Sequence, residues 1–442
     1  MPESSSLRKY AHAWRALRHR NFKLFFGGQS ISLIGTWMTR VATAWLVYRL
    51  THSAILLGTI SFAGQIPTFL LAPFAGVAVD RMDRRMVLIV TQVASMAQSL
   101  LLAVLTLGHW ITIRELLVLS AIQGVVNAFD MPGRQSFMVQ MVDRREDLSN
   151  AIAINSSMVN FARLLGPSLA GLVIAATGEG WCFLIDGVSY IAVVWSLLVM
   201  RVDPSHRQAA LERAREPMLR QLSDGWKYVS AFVPIRTILL LFAVVSLMGW
   251  PFTVLMPIFA AQVLHGGAHT LGFLMGATGV GALISGLSLV LRKSVRGLVR
   301  MIPMAAATFG AGLIAFGMSH ALWLSMLLQL VVGFGMMQGL TSSNTIIQTI
   351  VPEDKRGRVM SYYAVAFVGM APFGSLLAGW LAHEIGAQAT VIVSGVACLL
   401  GAAWFWVQMP RLRTILKPIY QELGIMPNAP DSLAEEEATA RG

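Results

Sequence analysis

Permanent charge is scarce in this chain. Only 13% of its 442 residues are Asp, Glu, Lys or Arg, about half the share of a soluble domain. Its two cysteines, Cys182 and Cys398, lie in separate apolar segments without metal-ligand spacing, so free thiols are expected rather than a disulfide scaffold or a metal site. No phosphate-binding loop is present: Gly276-x-x-Gly279-x-Gly281 sits inside an apolar run with no Lys-Ser/Thr after it, which argues against ATP-driven work. With no nucleophile constellation either, an enzyme reading has no support, and neither cofactor nor metal is expected. No cleavable signal peptide is visible in the polar, basic first 20 residues. What the chain does have is apolar length. It is 55% hydrophobic with a mean hydropathy of +0.64, in runs of about 20 residues, the length that crosses a bilayer as helix. The fold class expected is an all-α membrane protein.

A net charge of +12 is compatible with nucleic-acid binding, but its distribution argues for topology. Basic residues gather at Arg8 to Lys23, Arg81 to Arg85, Arg144–Arg145, Arg201 to Arg236, Arg292 to Arg300, Lys355 to Arg358 and Arg411 to Lys417. These are alternate connections, as expected if all face the cytoplasm. The opposite connections carry His52, His109, His265, His269, His320 and His383, with Arg49 and Arg114 as exceptions.

Run lengths predict twelve transmembrane helices near 22–48, 54–79, 86–107, 114–133, 151–176, 181–200, 235–259, 271–291, 299–318, 322–346, 359–383 and 388–408. The expected organisation is a cytoplasmic segment 1–21, a six-helix half 22–200, a cytoplasmic linker 201–234, a second six-helix half 235–408 and a cytoplasmic tail 409–442. Leu219, Leu222, Trp226, Tyr228 and Val229 would make the linker an amphipathic surface helix or a solvated connection. A common offset of 208 residues pairs Gly166 with Gly374, Gly171 with Gly379 and Gly64 with Gly272. It also pairs Arg84–Arg85 with Arg292–Lys293, so the halves read as a parallel repeat.

Between the second and third runs lies Gly76-Val-Ala-Val-Asp80-Arg81-Met-Asp83-Arg84-Arg85. This loop resembles the Gly-x-x-x-Asp-Arg-x-Gly-Arg-Arg/Lys signature of the major facilitator superfamily, with Asp83 in place of a glycine. A longer set of matches spans residues 21 to 383: Gly28-Gln29, Trp45 to Tyr48, Asp130-Met-Pro132-Gly-Arg134-Gln135, Asn150-Ala, Asn155-Ser, Asn160-Phe-Ala-Arg163, Asp224-Gly225-Trp226 and Arg356-Gly357-Arg358. It resembles the branch holding the bacterial enterobactin exporter and macrolide efflux proteins. The fifth-span Gly166-Pro167-x-x-Ala170-Gly171 is similar to the antiporter signature, with alanine at positions 153, 162 and 170. Ser120 stands where the superfamily's fourth-span Arg-x-x-Gln-Gly carries arginine, so proton coupling does not transfer through that position.

The resemblance implies a carrier working by alternating access in a bacterial cytoplasmic (inner) membrane, multi-pass, with both termini cytoplasmic. It would export a siderophore-, macrolide- or drug-like small molecule as a monomer in the lipid bilayer, with H+ as the expected coupling ion and no nucleic-acid partner. A lysophospholipid flippase or importer of the same fold, and a non-transporting membrane sensor, are the alternatives.

Gly76, Asp80, Arg81, Arg84, Arg85 and Arg358 form the candidate cytoplasmic gate: Asp80 could face the N-terminus of the eleventh span, where the helix dipole favours an anion. The other reading is an ordinary positive-inside loop. Arg40, Asn127, Asp130, Asn155, Asn160, Arg163, Asp186, Gln338 and Asn344 are the candidate substrate or proton pathway, since polar groups inside spans are functional suspects. Arg163 is expected to bind an anionic substrate, to neutralise Asp130 or to form a structural ion pair; Arg40 is expected to pair with Asp186. Gly166, Pro167, Gly171, Gly374 and Gly379 are read as close-packing and bending positions.

Overall fold

The computed structural model describes residues 15–142, 144–201, 226–290, 292, 294–423 and 425. The side chains of Pro73, Asp80, Arg145, Val290 and Asp354 also lie outside the description. Among the described residues the secondary structure is helical, without strands. The long helices are α1 (Arg20–Thr51), α2 (Ala54–Arg81), α3 (Arg84–Leu107), α4 (Ile113–Met138), α5 (Leu148–Thr177) and α6 (Glu179–Val199). After the linker come α7 (Val233–Val263), α8 (Ala268–Val290), α9 (Leu298–Met318) and α10 (Leu322–Ile350). Next is α11, running through Glu353–Ala364, Val365–Gly369 and Ala371–Ile385, and then α12 (Ala387–Glu422).

Eleven of these are long and apolar enough to cross a membrane; α1 falls outside that set. Its middle carries Gln29, Ser30, Ser32, Thr36, Thr39 and Arg40, which lower its hydropathy without shortening it. Most of the linker lies outside the described residues, Leu219 and Leu222 included; Trp226 to Ala231 are helical. At the other end α12 continues to Glu422, well into the segment expected to be tail.

Local chemistry sets the boundaries. Ser53 caps α2 by accepting from the Leu56 N–H at 3.3 Å. Thr112 and Glu115 form a capping box at the start of α4. Asp83 caps α3, accepting from the Arg85 and Met86 N–H groups at 2.9 and 3.3 Å. This is a use for the acid that replaces glycine in the loop signature. At the opposite end of the bundle, His52, His109 and His265 adopt φ of 50°, 60° and 50°, the left-handed region. The histidines that marked the cation-poor connections are therefore, in part, helix-terminating residues.

Packing repeats with a shift of six helices. α2 lies on α4 as α8 lies on α10; α3 packs on α4 and α6 as α9 packs on α10 and α12. Two seams cross between the sets, α5 with α8 and α2 with α11. Both depend on glycine. A Cβ at Gly171 would meet the Ala268 carbonyl oxygen at 2.7 Å and Gly272 Cα at 3.0 Å; one at Gly379 would meet the Ala54 oxygen at 2.7 Å and Gly58 Cα at 3.1 Å. Further along, Gly279 faces Leu164 Cα at 2.9 Å, and Ser61 and Gln65 reach Ser375 at 3.3 and 3.4 Å. Both backbone crossings lie toward the histidine-bearing end. Toward the basic end, Gly76 in α2 and Gly286 in α8 face open space.

α7 and α11 each depart from α-helical winding, at Val245–Gly249 and Phe259–Val263 in one and Val365–Gly369 in the other. Pro251 and Pro372 follow two of these widened turns; a proline removes a ladder hydrogen bond and crowds the preceding turn. Ser246 Oγ donates to the Phe367 carbonyl, and Trp250 meets Phe367 edge-on at 4.9 Å.

The seams generate a test. Gly171→Val and Gly379→Val put branched carbons where backbone already sits, an overpacking that costs about 1–3 kcal/mol. Each variant is expected to melt several degrees lower in detergent, while Gly76→Val, facing open space, should melt like the parent. Equal melting of all three proteins would contradict the seam assignment.

Candidate functional site

Arg163 stands midway along α5 and Arg40 on the second half of α1. In both cases an indole, not a carboxylate, is the neighbour. The Trp37 ring centroid lies 4.7 Å from Arg40 Cζ and 5.3 Å from Arg163 Cζ. Trp37 and Arg40 share a face of α1 at i, i+3. Gly166 supplies the other half of the geometry: a Cβ there would collide with Trp37 and meet the Ile34 oxygen at 3.0 Å. Glycine at 166 thus lets α5 approach α1, and Arg163, almost one turn earlier, reaches the ring.

Neither guanidinium has a hydrogen bond or an ion pair among the described residues. Arg40 is solvent-exposed although protein surrounds it, within electrostatic reach of Asp186 and Tyr190. Arg163 Nε is buried with no partner, and so is Asn155 Oδ1, two turns away on the same stripe of α5. Asn160 donates to the Ser156 carbonyl of its own helix at 3.0 Å.

The expected pairings are corrected by this geometry. Asp186, buried in α6, accepts from Ser99 Oγ at 2.7 Å and Thr39 Oγ1 at 2.9 Å, with Thr36 Oγ1 at 3.5 Å. It makes no ion pair with Arg40: hydroxyls of α1 and α3 occupy its acceptor positions, and the Arg40 guanidinium lies against Trp37. Asp130 is held by Arg134 at 2.5 Å, Gln92 at 2.6 Å and Thr91 at 3.0 Å. Its cation is Arg134, one turn along α4, rather than Arg163. That partner was readable from the i, i+4 spacing; the hydroxyl cage of Asp186, drawn from α1 and α3, was not. Arg49, an exception to the charge asymmetry, grips Glu179 with two bonds of 2.7 and 3.1 Å.

Other candidates fall elsewhere. Asn127 accepts from Gln123 at 3.1 Å within α4. Gln338 is buried and accepts from Ser285 at 2.9 Å, joining α10 to α8. Asn344 accepts from Gln348 on its own helix. At the loop, the Asp80 side chain lies outside the described residues. Arg81 is exposed and Arg358 half-buried in the first turns of α11. Arg85 donates to the Leu197 and Leu198 carbonyls at 2.8 and 2.7 Å, and Arg84 approaches the Ser136 carbonyl at 3.5 Å. These two arginines therefore cap the last turns of α6 and α4, within their own six helices, where a cation complements the helix dipole. Pro167 sits at the α5–α8 seam, its carbonyl facing Gly272, whereas Gly374 packs α11 on α7 within the second set, where a Cβ would meet Pro251 at 2.6 Å.

Residues 11–419 match the family model of transmembrane secretion effectors. The chain is 25% identical over 398 residues to the staphyloferrin A transporter of Staphylococcus aureus, covering 89% of this chain and 98% of that one. It is 25% identical over 388 residues to the multidrug efflux pump Tap of Mycolicibacterium fortuitum, covering 86% and 93%. Among solved structures, a bacterial homologue of the human lysosomal transporter Spinster superposes with a TM-score of 0.68 at 13% identity, over 90% of this chain and 98% of that one. A POT family transporter in complex with 5-aminolevulinic acid gives 0.70 at 11%, over 89% and 96%. These two likenesses show the fold.

The basic end carries one titratable lock. Asp147, at the start of α5, binds His19 Nε2 at 2.9 Å and Arg15 Nε at 2.9 Å, fastening the segment before α1. The His19 hydrogen bond holds its carboxyl below the usual carboxylate range against the opposing effect of burial, with Arg15 assisting. A carboxyl depressed in the folded state stabilises at neutral pH and loses that contribution as pH falls through its lowered value. Asp147→Asn should therefore melt below the parent at pH 7, and the gap should close below about pH 4. A gap independent of pH would contradict the lock.

Proposed function

Because the chain belongs to the transmembrane secretion effectors of the major facilitator superfamily, in their siderophore and drug efflux branch, we propose that it exports a small organic molecule by alternating access, in exchange for protons. It is not an enzyme. The observation that carries the reading is the pair of glycine seams: the two six-helix sets touch through backbone near the histidine-bearing end. A rocking carrier needs such a fulcrum around a central site.

In this proposal α1 is the twelfth span, and α1–α6 and α7–α12 are the two moving halves. The basic end faces the cytoplasm of a bacterial inner membrane, both termini included. The proposed cytoplasmic latch joins Asp80, Arg81 and Arg358. Asp186 is the proposed proton carrier. It is held by hydroxyls alone, so its protonation breaks no ion pair, whereas protonating Asp130 breaks the contact with Arg134. The staphyloferrin A transporter and the Tap efflux pump support siderophore-like and drug-like cargo as the range to screen.

Asp186→Asn should abolish uptake driven by an imposed pH gradient in inverted vesicles, while counterflow exchange continues at a rate near the parent's. Asp130→Asn should lower both, because it releases Arg134. Normal gradient-driven uptake by Asp186→Asn would overturn the assignment of the carrier.

A further inference from the structure

We propose that the Arg40–Trp37–Arg163 group is the substrate-binding centre for an organic anion, a molecule with at least one carboxylate or comparable oxyanion on an apolar or aromatic body. This deepens the transport reading and rests on it. Two guanidinium groups share one indole ring, at 4.7 and 5.3 Å from its centroid, without an ion pair among the described residues. Two unneutralised cations at mid-span are expensive in a bilayer. Cation–π contact offsets only part of that, about 2 kcal/mol when desolvated. An ion pair whose sole purpose is structural would bring its carboxylate with it, as Asp130 does for Arg134 and Glu179 does for Arg49. Asp186 is within electrostatic reach of Arg40 but turned to hydroxyls instead.

Three further observations converge on a ligand. Arg163 Nε and Asn155 Oδ1 are both buried without partners on one stripe of α5, and unpaired buried donors and acceptors cost about 1–3 kcal/mol each. Arg40 is solvent-exposed, so its guanidinium is reachable. The helices that carry the group, α1 and α5, meet where Gly166 admits Trp37, and α5 also forms a seam with α8, so the site abuts the moving boundary. Guanidinium forks match carboxylates with two parallel hydrogen bonds, and the indole face offers a platform for the ligand's apolar part. A cation is the ligand this centre would repel.

The test is dye uptake into energised inverted membrane vesicles containing the full chain, with carboxyfluorescein as the anionic probe and ethidium as the cationic one. Carboxyfluorescein should accumulate and ethidium should not. Arg163→Gln and Arg40→Gln should each reduce carboxyfluorescein uptake at low dye by about tenfold or more, with KM raised and Arg163→Lys partly restoring it. Arg40→Gln, at an exposed position, guards against loss of folding, and melting curves of each variant confirm it. In the parent, unlabelled 1-naphthoate should compete with the dye where its methyl ester does not. Ethidium uptake without carboxyfluorescein uptake, or arginine variants that move carboxyfluorescein normally, would overturn the anion centre and leave the transporter reading standing. Failure of both dyes to move, with no stabilisation of purified protein by 1-naphthoate, would overturn both.

Discussion

Close approach of backbones, permitted by glycine, is the constraint on which the rest of this structure depends. Lipid offers no hydrophobic drive for apolar helices to associate, so contact must come from packing and from polar groups. Here α5 is the most demanding element. Gly166 presses on Trp37 of α1, Gly171 on the backbone of α8, and Arg163 lies between these and Asn155. One helix thus fixes the local geometry of the arginine pair and one of the two seams. A larger side chain at either glycine displaces both, which ties the packing of the bundle to the electrostatics at its centre.

The same economy accounts for α1. It falls short in hydropathy of the other long helices because it turns a different polar group to each neighbour. Thr36 and Thr39 face Asp186 of α6, and Trp37 lies between Arg40 and Arg163 of α5. A wholly apolar α1 would offer no hydroxyls to Asp186 and no indole to the two guanidinium groups. At its ends the helix is tied by charge: Arg49 to Glu179 beside the histidine end, and His19 with Arg15 to Asp147 at the basic end.

Much of this was legible from residue order, and the failures have a common cause. Helix positions followed from apolar run length, and at the small residues 166, 171, 374 and 379, read as places of close approach, an added Cβ would meet a neighbouring helix. The loop arginines were read as part of a gate; Arg84 and Arg85 also reach the carbonyls that end α4 and α6. Asp83 was read as a departure from a pattern, and it is a helix cap. Asp130 was offered a distant arginine when a nearer one lay four residues on. Sequence spacing finds partners along a helix. It does not say which face α1 shows to α5 and which to α6, and that rotation decides the fate of Arg40, Asp186 and Trp37 together.

That rotation also constrains how protons and cargo could be linked. A proton on Asp186 removes a negative charge within reach of Arg40, so by electrostatics alone it strengthens the hold of the arginine pair on an anion, and linkage makes the effect mutual. Proton–anion exchange therefore cannot run by simple competition for Arg40. It has to run through the helix that both groups share. Ionised Asp186 accepts from Thr36, Thr39 and Ser99; once protonated it has one fewer acceptor position and becomes a donor, which loosens the grip of α6 and α3 on α1. The coupling would then reside in whether α1 presents Trp37 and Arg40 to Arg163, a packing question settled by the glycine at 166.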